Sequence, residues 1–132
     1  METPIEIERL TAFLSTQRDI RLAVVFGSLA THRATAASDL DIAIAACGPL
    51  AAARRRQLIA DLGRLSGRPV DLVDLAVVGE PLLGQILKTG KRLIGERSEW
   101  ARLISRHVFD EADFMPYRNR ILDHRRRLWI GR

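Results

Sequence analysis

Three short apolar segments constrain the fold of this chain more than any other feature of its sequence. They lie at residues 20–26, 39–45 and 69–77, and each has the length and the aliphatic content of a buried strand. Stretches with apolar residues at helical spacing come before and between them, at 4–17 and 50–67. Thr3 can cap the first of these helices, and we expect the arginines of the second to point into solvent. This alternation predicts an α/β or α+β domain in which helices pack against a sheet.

The rest of the chain is mainly helical in pattern. We predict one helix over 80–89, a second from Ser98 to about 112 and a third that starts near Pro116, with the short apolar piece RLIG between the first two. A chain of 132 residues is of ordinary size for one domain. We therefore predict a single domain, with a sheet core and helices over 1–95 and C-terminal helices over 96–132.

Composition narrows the class of protein. No apolar run approaches the roughly 20 residues that cross a membrane. The single cysteine, Cys47, excludes an intrachain disulfide and suits the cytoplasm, and its place beyond a strand predicts a buried thiol. The net charge is +5, but no aromatic residues alternate with the basic ones, so direct binding of nucleic acid is not expected.

Two carboxylates interrupt the second apolar segment. Asp39 and Asp41 lie two residues apart, so on a strand they point to the same face. Two buried carboxylates without compensation would each cost several kcal/mol, on the order of the penalty for unpaired buried charges. A divalent cation with hard oxygen ligands, such as Mg²⁺, removes that cost.

A Gly-Ser pair ends the first apolar segment. Gly27 allows the backbone to approach a ligand closely, and Ser28 adds a hydroxyl group. We expect a helix to begin there, and the N-terminus of a helix binds phosphate through free N–H groups. A phosphate site beside a metal site predicts binding of a nucleoside triphosphate with Mg²⁺.

The arrangement Gly27-Ser28, ten residues, Asp39-Leu40-Asp41 resembles the signature of the DNA polymerase β-like nucleotidyltransferases. The wider pattern GSLA…SDLDIAI resembles the minimal, MNT-type branch, whose members act as antitoxins beside a HEPN-domain toxin. The resemblance covers residues 20–78 well and the remainder more weakly. It implies an α+β (α/β-like) fold, namely a small mixed sheet flanked by helices.

The resemblance also implies an activity. It implies transfer of AMP from ATP to a hydroxyl group, with two Mg²⁺ ions, and for this branch the acceptor is a tyrosine of the HEPN toxin in a hetero-oligomer. A third carboxylate would come from the segment at 69–77, where Asp71 and Asp74 face opposite sides of a strand. By resemblance Asp71 matches: it would bind metal with Asp39 and Asp41 and help to deprotonate the attacking hydroxyl group. We expect Asp74 to make a polar contact on the far face of the strand, with an arginine.

The chain departs from the family in one place. Family members commonly have Arg-Gly after the GSxA pattern, and this chain has Thr31 and His32 there. The replaced arginine would have contacted phosphate, and Arg33 is the neighbouring candidate for that contact. We expect His32 to be exposed to solvent.

Two alternative functions are compatible with the same residues. One is a small-molecule nucleotidyltransferase of the antibiotic-modifying type, although such enzymes usually add a larger helical domain for the acceptor. The other is a non-catalytic antitoxin that masks its partner by binding, which the change at Thr31 and His32 favours.

Overall fold

The structure is a computed structural model, and it describes residues 5–110. Its centre is a sheet of four strands, which are β1 (Ile20–Phe26), β2 (Leu40–Ala46), β3 (Val70–Asp74) and β4 (Lys91–Ile94). Their spatial order is β3-β2-β1-β4. β1 runs antiparallel to both β2 and β4, whereas β2 and β3 run parallel. The sheet is therefore mixed, as the resemblance implied.

Helices cover both faces of this sheet. They are α1 (Ile5–Ser15), α2 (Ala52–Ser66), α3 (Leu82–Thr89) and α4, which is helical over 97–110. One core lies between the sheet and α1 and α2, and it contains Leu10, Ile42 and Leu58. The other lies under α3 and α4 and contains Val24 and Leu103. Both cores form because side chains alternate across β1 and β2, so each strand buries residues on its two faces.

The predicted α+β fold class is confirmed, and most differences lie at the ends of elements. β1 matches its prediction, and β3 ends at Asp74 rather than at residue 77. It ends there because the N–H groups of Val77 and Val78 turn back to the carbonyl of Asp74, at 3.2 and 3.0 Å. The apolar piece RLIG, for which no element was predicted, belongs largely to the edge strand β4.

Two local predictions were wrong. Cys47 is exposed, and its thiol lies 3.8 Å from the carbonyl of Asp19. The arginines of α2 were expected to point into solvent, but Arg54 and Arg55 are half-buried and bind other elements. Arg54 pairs with Asp19, and Arg55 donates to the carbonyl of Leu72 at 2.5 Å.

The predicted N-terminal cap at Thr3, the helix near Pro116 and the aromatic residues Tyr117 and Trp129 lie outside the described residues. No helix in the described part of the chain is long and apolar enough to span a membrane.

Candidate active site

The aspartates singled out by the sequence meet at one end of the sheet. Asp41 lies on β2 directly opposite Asp71 on the parallel neighbour β3. Because side chains alternate along a strand, Asp41 shares the face of Ala43 and Asp71 shares that of Val73, whereas Asp39 directly precedes β2. Ala43 and Val73 both belong to the core under α3 and α4. The carboxylates of Asp41 and Asp71 therefore lie on the same face of two adjacent strands, and Asp39 is close enough for its charge to act on Asp41.

These carboxylates interact electrostatically. Burial raises the pKa of Asp41, and the charges of Asp71 and Asp39 raise the pKa of that carboxyl further. Asp41 is half-buried, whereas Asp39 and Asp71 are exposed. Within residues 5–110, no three His, Cys, Asp or Glu side chains are arranged to hold a metal ion as they stand. The three aspartates are thus coupled neighbours and not a closed cage.

Gly27 is required at its position by both conformation and space. Its φ is +70°, in the left-handed region that favours glycine. A Cβ atom built on Gly27 would collide with the carboxylate of Asp41 and lie 3.1 Å from its Cγ atom. The Asp41 side chain therefore lies directly against the backbone of Gly27, which joins the Gly-Ser pair to the aspartates in space.

The helix expected after Ser28 is not an α-helix. Gly27–Leu29 form one turn of 3-10 helix. The N–H groups of Ala30 and Thr31 both donate to the carbonyl of Gly27 at 3.2 Å, and the chain then turns again through a bond from Arg33 N–H to the Ser28 carbonyl at 2.9 Å. A single short turn has little macrodipole, so any phosphate binding here depends on close backbone approach and on the Ser28 hydroxyl group.

The departure at Thr31 and His32 has a structural consequence. His32 has a φ of 59°, and it is the only residue other than glycine with a positive φ in the part of the chain that the structure describes. This is the position where the resembling family commonly has glycine, a residue that adopts this conformation without steric cost. His32 is exposed, as expected, and so is the candidate phosphate contact Arg33. The Thr31 hydroxyl group donates to the Gly27 carbonyl at 3.2 Å.

Asp74 lies on the opposite face of β3 from Asp71 and is buried, with 8% of its surface exposed. Its Oδ2 accepts the N–H of Leu50 at 2.8 Å, and its Oδ1 accepts the N–H of Ala76 at 2.9 Å. An arginine had been expected as its partner, but these backbone groups occupy both carboxylate oxygens. Asp74 therefore joins the segment before α2 to the end of β3.

Arg68 is a residue of this region that the sequence analysis missed. It directly precedes Pro69 and β3, and its side chain is only 12% exposed. It donates to the carbonyl of Ser38, next to Asp39, at 2.8 Å. An arginine between a helix and a strand carries no distinctive pattern, so the sequence offered no signal for this contact.

Comparison with known proteins agrees with this fold. The family model for "Polymerase beta, Nucleotidyltransferase" matches residues 8–99, so the chain belongs to this nucleotidyltransferase family. A search of curated proteins finds no match.

Several solved structures are similar. One is a chain of a toxin–antitoxin crystal structure with AMP-PNP, with 25% identity, a TM-score of 0.77 and coverage of 89% of this chain and 96% of that one. A second is a chain from the structure of a complex, described as "tri-AMPylated Shewanella oneidensis HEPN toxin in complex with MNT antitoxin". It has 23% identity, a TM-score of 0.73 and coverage of 93% of this chain and 98% of that one. A third is a chain of a toxin–antitoxin MntA-HepT structure, with 24% identity, a TM-score of 0.72 and coverage of 91% and 96%.

Proposed function

We propose that this chain is an antitoxin of the cytoplasm that transfers AMP from ATP to a hydroxyl group, a tyrosine, of a HEPN-type toxin with which it forms a complex. The observation that carries the proposal is the contact between Asp41 and Gly27, with Asp71 opposite Asp41. This contact brings a carboxylate against the Gly-Ser turn that we propose to bind phosphate. Family membership and the toxin–antitoxin structures with AMP-PNP and with an AMPylated toxin support the same activity.

The residues present fit magnesium. Carboxylate oxygens are the ligands that Mg²⁺ prefers, and the ion usually takes only one or two of them while water and phosphate oxygens complete its shell. Carboxylates that lie close together but do not enclose a cavity match that requirement better than a closed set of protein ligands would. The raised pKa of Asp41 indicates a site where added positive charge is favourable. We propose that Asp39, Asp41 and Asp71 hold two Mg²⁺ ions.

When bound, Mg²⁺ supplies positive charge that neutralises the oxygens of the triphosphate. The chain itself positions the reactants. We propose that the backbone at Gly27 and the hydroxyl group of Ser28 contact phosphate oxygens, with Arg33 following on the same turn. Asp71 accepts the proton of the acceptor hydroxyl group. The hydroxyl oxygen then bonds to the α-phosphorus of ATP, the bond to pyrophosphate breaks, and AMP remains on the acceptor.

The direct experiment is incubation of the purified chain with Mg²⁺, ATP labelled at the α-phosphorus and the HEPN protein encoded beside it. We expect label on the HEPN protein, on tyrosine, and none when the label is on the γ-phosphorus. Asp41→Asn should lose the transfer. Asp61→Asn is the matched control, because Asp61 lies on α2 and pairs with Arg64. Label from the γ-phosphorus, or equal labelling by Asp41→Asn, would contradict the proposal.

A masking antitoxin is the second candidate, and the conformation of His32 favours it. A bulky residue in the left-handed region occupies the turn that would approach the triphosphate. The two functions differ in one measurement, which is the growth of cells that express the toxin together with Asp41→Asn. Masking requires no catalysis, so this variant would still protect the cells, whereas an AMP-transferring antitoxin would not.

A further inference from the structure

Arg68 contacts three separate parts of the chain. Its Nε and Nη2 atoms pair with the two carboxylate oxygens of Glu6 on α1, at 3.1 and 3.2 Å. Its Nη1 atom donates to the carbonyls of Thr35 and Ser38, at 2.7 and 2.8 Å. All three nitrogen atoms of the guanidinium group are therefore engaged, and the side chain is almost fully covered.

These contacts bracket Asp39. The carbonyl of Ser38, directly before it, is held by the Arg68 side chain. The N–H of Leu40, directly after it, donates to the carbonyl of Pro69 at 2.8 Å. The peptide groups on both sides of Asp39 are thus fixed by two consecutive residues that lead into β3. The backbone of Asp39 has no such support from its own strand, because β2 begins one residue later.

The loop that Arg68 holds is also closed on itself. Thr35 N–H donates to the Ser38 hydroxyl oxygen at 2.8 Å, and Ser38 N–H donates to the Thr35 carbonyl at 3.1 Å. Both residues are at least partly exposed. Arg68 connects this turn to Glu6 on α1 and to the start of β3.

We propose that Arg68 is a positioning residue, which sets where the Asp39 carboxylate lies relative to Asp41 and Asp71. The inference rests on the proposed function, because it assumes that these carboxylates bind a divalent cation. Residues that orient metal ligands typically change metal affinity by about 10- to 100-fold when they are replaced. Lysine cannot reproduce this role, because one ammonium group cannot serve Glu6 and the two loop carbonyls in the same fixed geometry.

The test measures metal binding separately from transfer. Mn²⁺ is titrated into the wild-type chain and into Arg68→Lys, and free Mn²⁺ is followed by electron paramagnetic resonance. We expect binding to be about tenfold weaker in the variant. The Mg²⁺ concentration for half-maximal AMP transfer should rise by a similar factor, with transfer largely recovered at saturating Mg²⁺. Ser38→Ala, which opens the turn at Thr35, should weaken Mn²⁺ binding by a smaller factor and keeps the test valid if Arg68→Lys does not fold.

Glu6→Gln is the control for a merely structural role. It weakens the pairing with α1 but leaves the contact of Arg68 with Ser38, so we expect lower stability to urea and unchanged Mn²⁺ affinity. Wild-type affinity in Arg68→Lys, or an equal loss in Glu6→Gln, would overturn the inference, as would a wild-type chain that binds no Mn²⁺. Weaker Mn²⁺ binding by Arg68→Lys in a chain whose wild type transfers no AMP would support the positioning role and overturn only the proposed function.

Discussion

Asp71 and Asp74 lie three residues apart on one strand and have opposite surroundings. Asp71 is exposed beside Asp41, so Asp71→Asn should change the free energy of unfolding by less than about 0.5 kcal/mol. It should lower AMP transfer by orders of magnitude if Asp71 accepts the proton of the acceptor. Unfolding in urea and labelled transfer measure the two effects in the same preparation.

Asp74→Asn is the matched variant on the other face of the strand. The carboxylate accepts two backbone N–H groups, and asparagine has only one acceptor oxygen for them. One of these partly buried N–H groups then faces an NH₂ group, so we expect a loss of about 1 kcal/mol in the free energy of unfolding. Transfer per folded molecule should stay near wild type. If Asp74→Asn abolishes transfer and Asp71→Asn does not, the assignment of Asp71 as the acceptor-side base is wrong.

His32 adopts a conformation that side chains disfavour. A left-handed φ costs roughly 1–2 kcal/mol for an L-residue, and glycine avoids this cost. Glycine also loses more conformational entropy on folding, which offsets part of the stabilisation. His32→Gly should therefore increase the free energy of unfolding by up to about 1 kcal/mol. His32→Ala is the control, because alanine removes the imidazole group but keeps the Cβ atom. An equal gain in both variants would assign the effect to the imidazole group and not to the backbone.

At the scale of elements, α2 is tied to the turn between α1 and β1. α2 has no side-chain cap at its N-terminus. Arg54, in its first turn, donates to Oδ2 and Oδ1 of Asp19 at 2.8 and 2.7 Å and to Gln17 at 3.0 Å. The hydrogen bond from Arg54 lowers the pKa of Asp19 and outweighs the effect of burial. The two hydrogen bonds fix the orientation of the pair, although solvent weakens the attraction between its charges.

This pair predicts a pH dependence of stability. Because the pKa of Asp19 is lower in the folded chain, its stabilisation is full above the ordinary aspartate pKa and is lost as the pH falls through the lowered value. Asp19 is 44% exposed on its side chain, so screening limits the effect to less than about 1 kcal/mol. Asp19→Asn should be less stable than wild type to urea at pH 7, and the difference should disappear in acid. A difference that persists in acid would show that packing, and not charge, stabilises this contact.

At the scale of the whole molecule, nucleotide binding should appear as added stability. A ligand that binds only the folded chain, at about 100 times its dissociation constant, adds roughly 2.7 kcal/mol to the free energy of unfolding. We expect ATP with Mg²⁺ to raise the thermal midpoint more than ATP with a chelator. Ser28→Ala should reduce this shift only in part, because backbone groups at Gly27 remain. No Mg²⁺-dependent shift at millimolar ATP would favour the masking function.

Local sequence patterns predicted three of the four strands, most of the helices in the described part of the chain and the residues of the candidate site. The extent of β1 follows from a continuous apolar run. The spacing of Gly27, Asp39 and Asp41 at the ends of two strands predicted that these residues lie near one another. A helix was predicted after the Gly-Ser pair, but its form, one 3-10 turn at Gly27–Leu29, was not, and the strand β4 was not predicted at all. Both are too short to show a period, and β4 exists only because it pairs with β1.

The sequence by itself therefore determined that this chain carries carboxylates and a Gly-Ser turn at the ends of buried strands. From the residues alone it left Asp71 and Asp74 as alternatives. Only the tertiary structure decided which of them faces Asp41. The parallel register of β2 and β3 pairs Asp41 with Asp71, and this register depends on how the connecting helix α2 packs against the sheet. The tertiary structure also decided the contact of Arg68 with Ser38 and Glu6. The physical reason is distance along the chain: such contacts join residues 30 and 62 positions apart, and no local pattern encodes them.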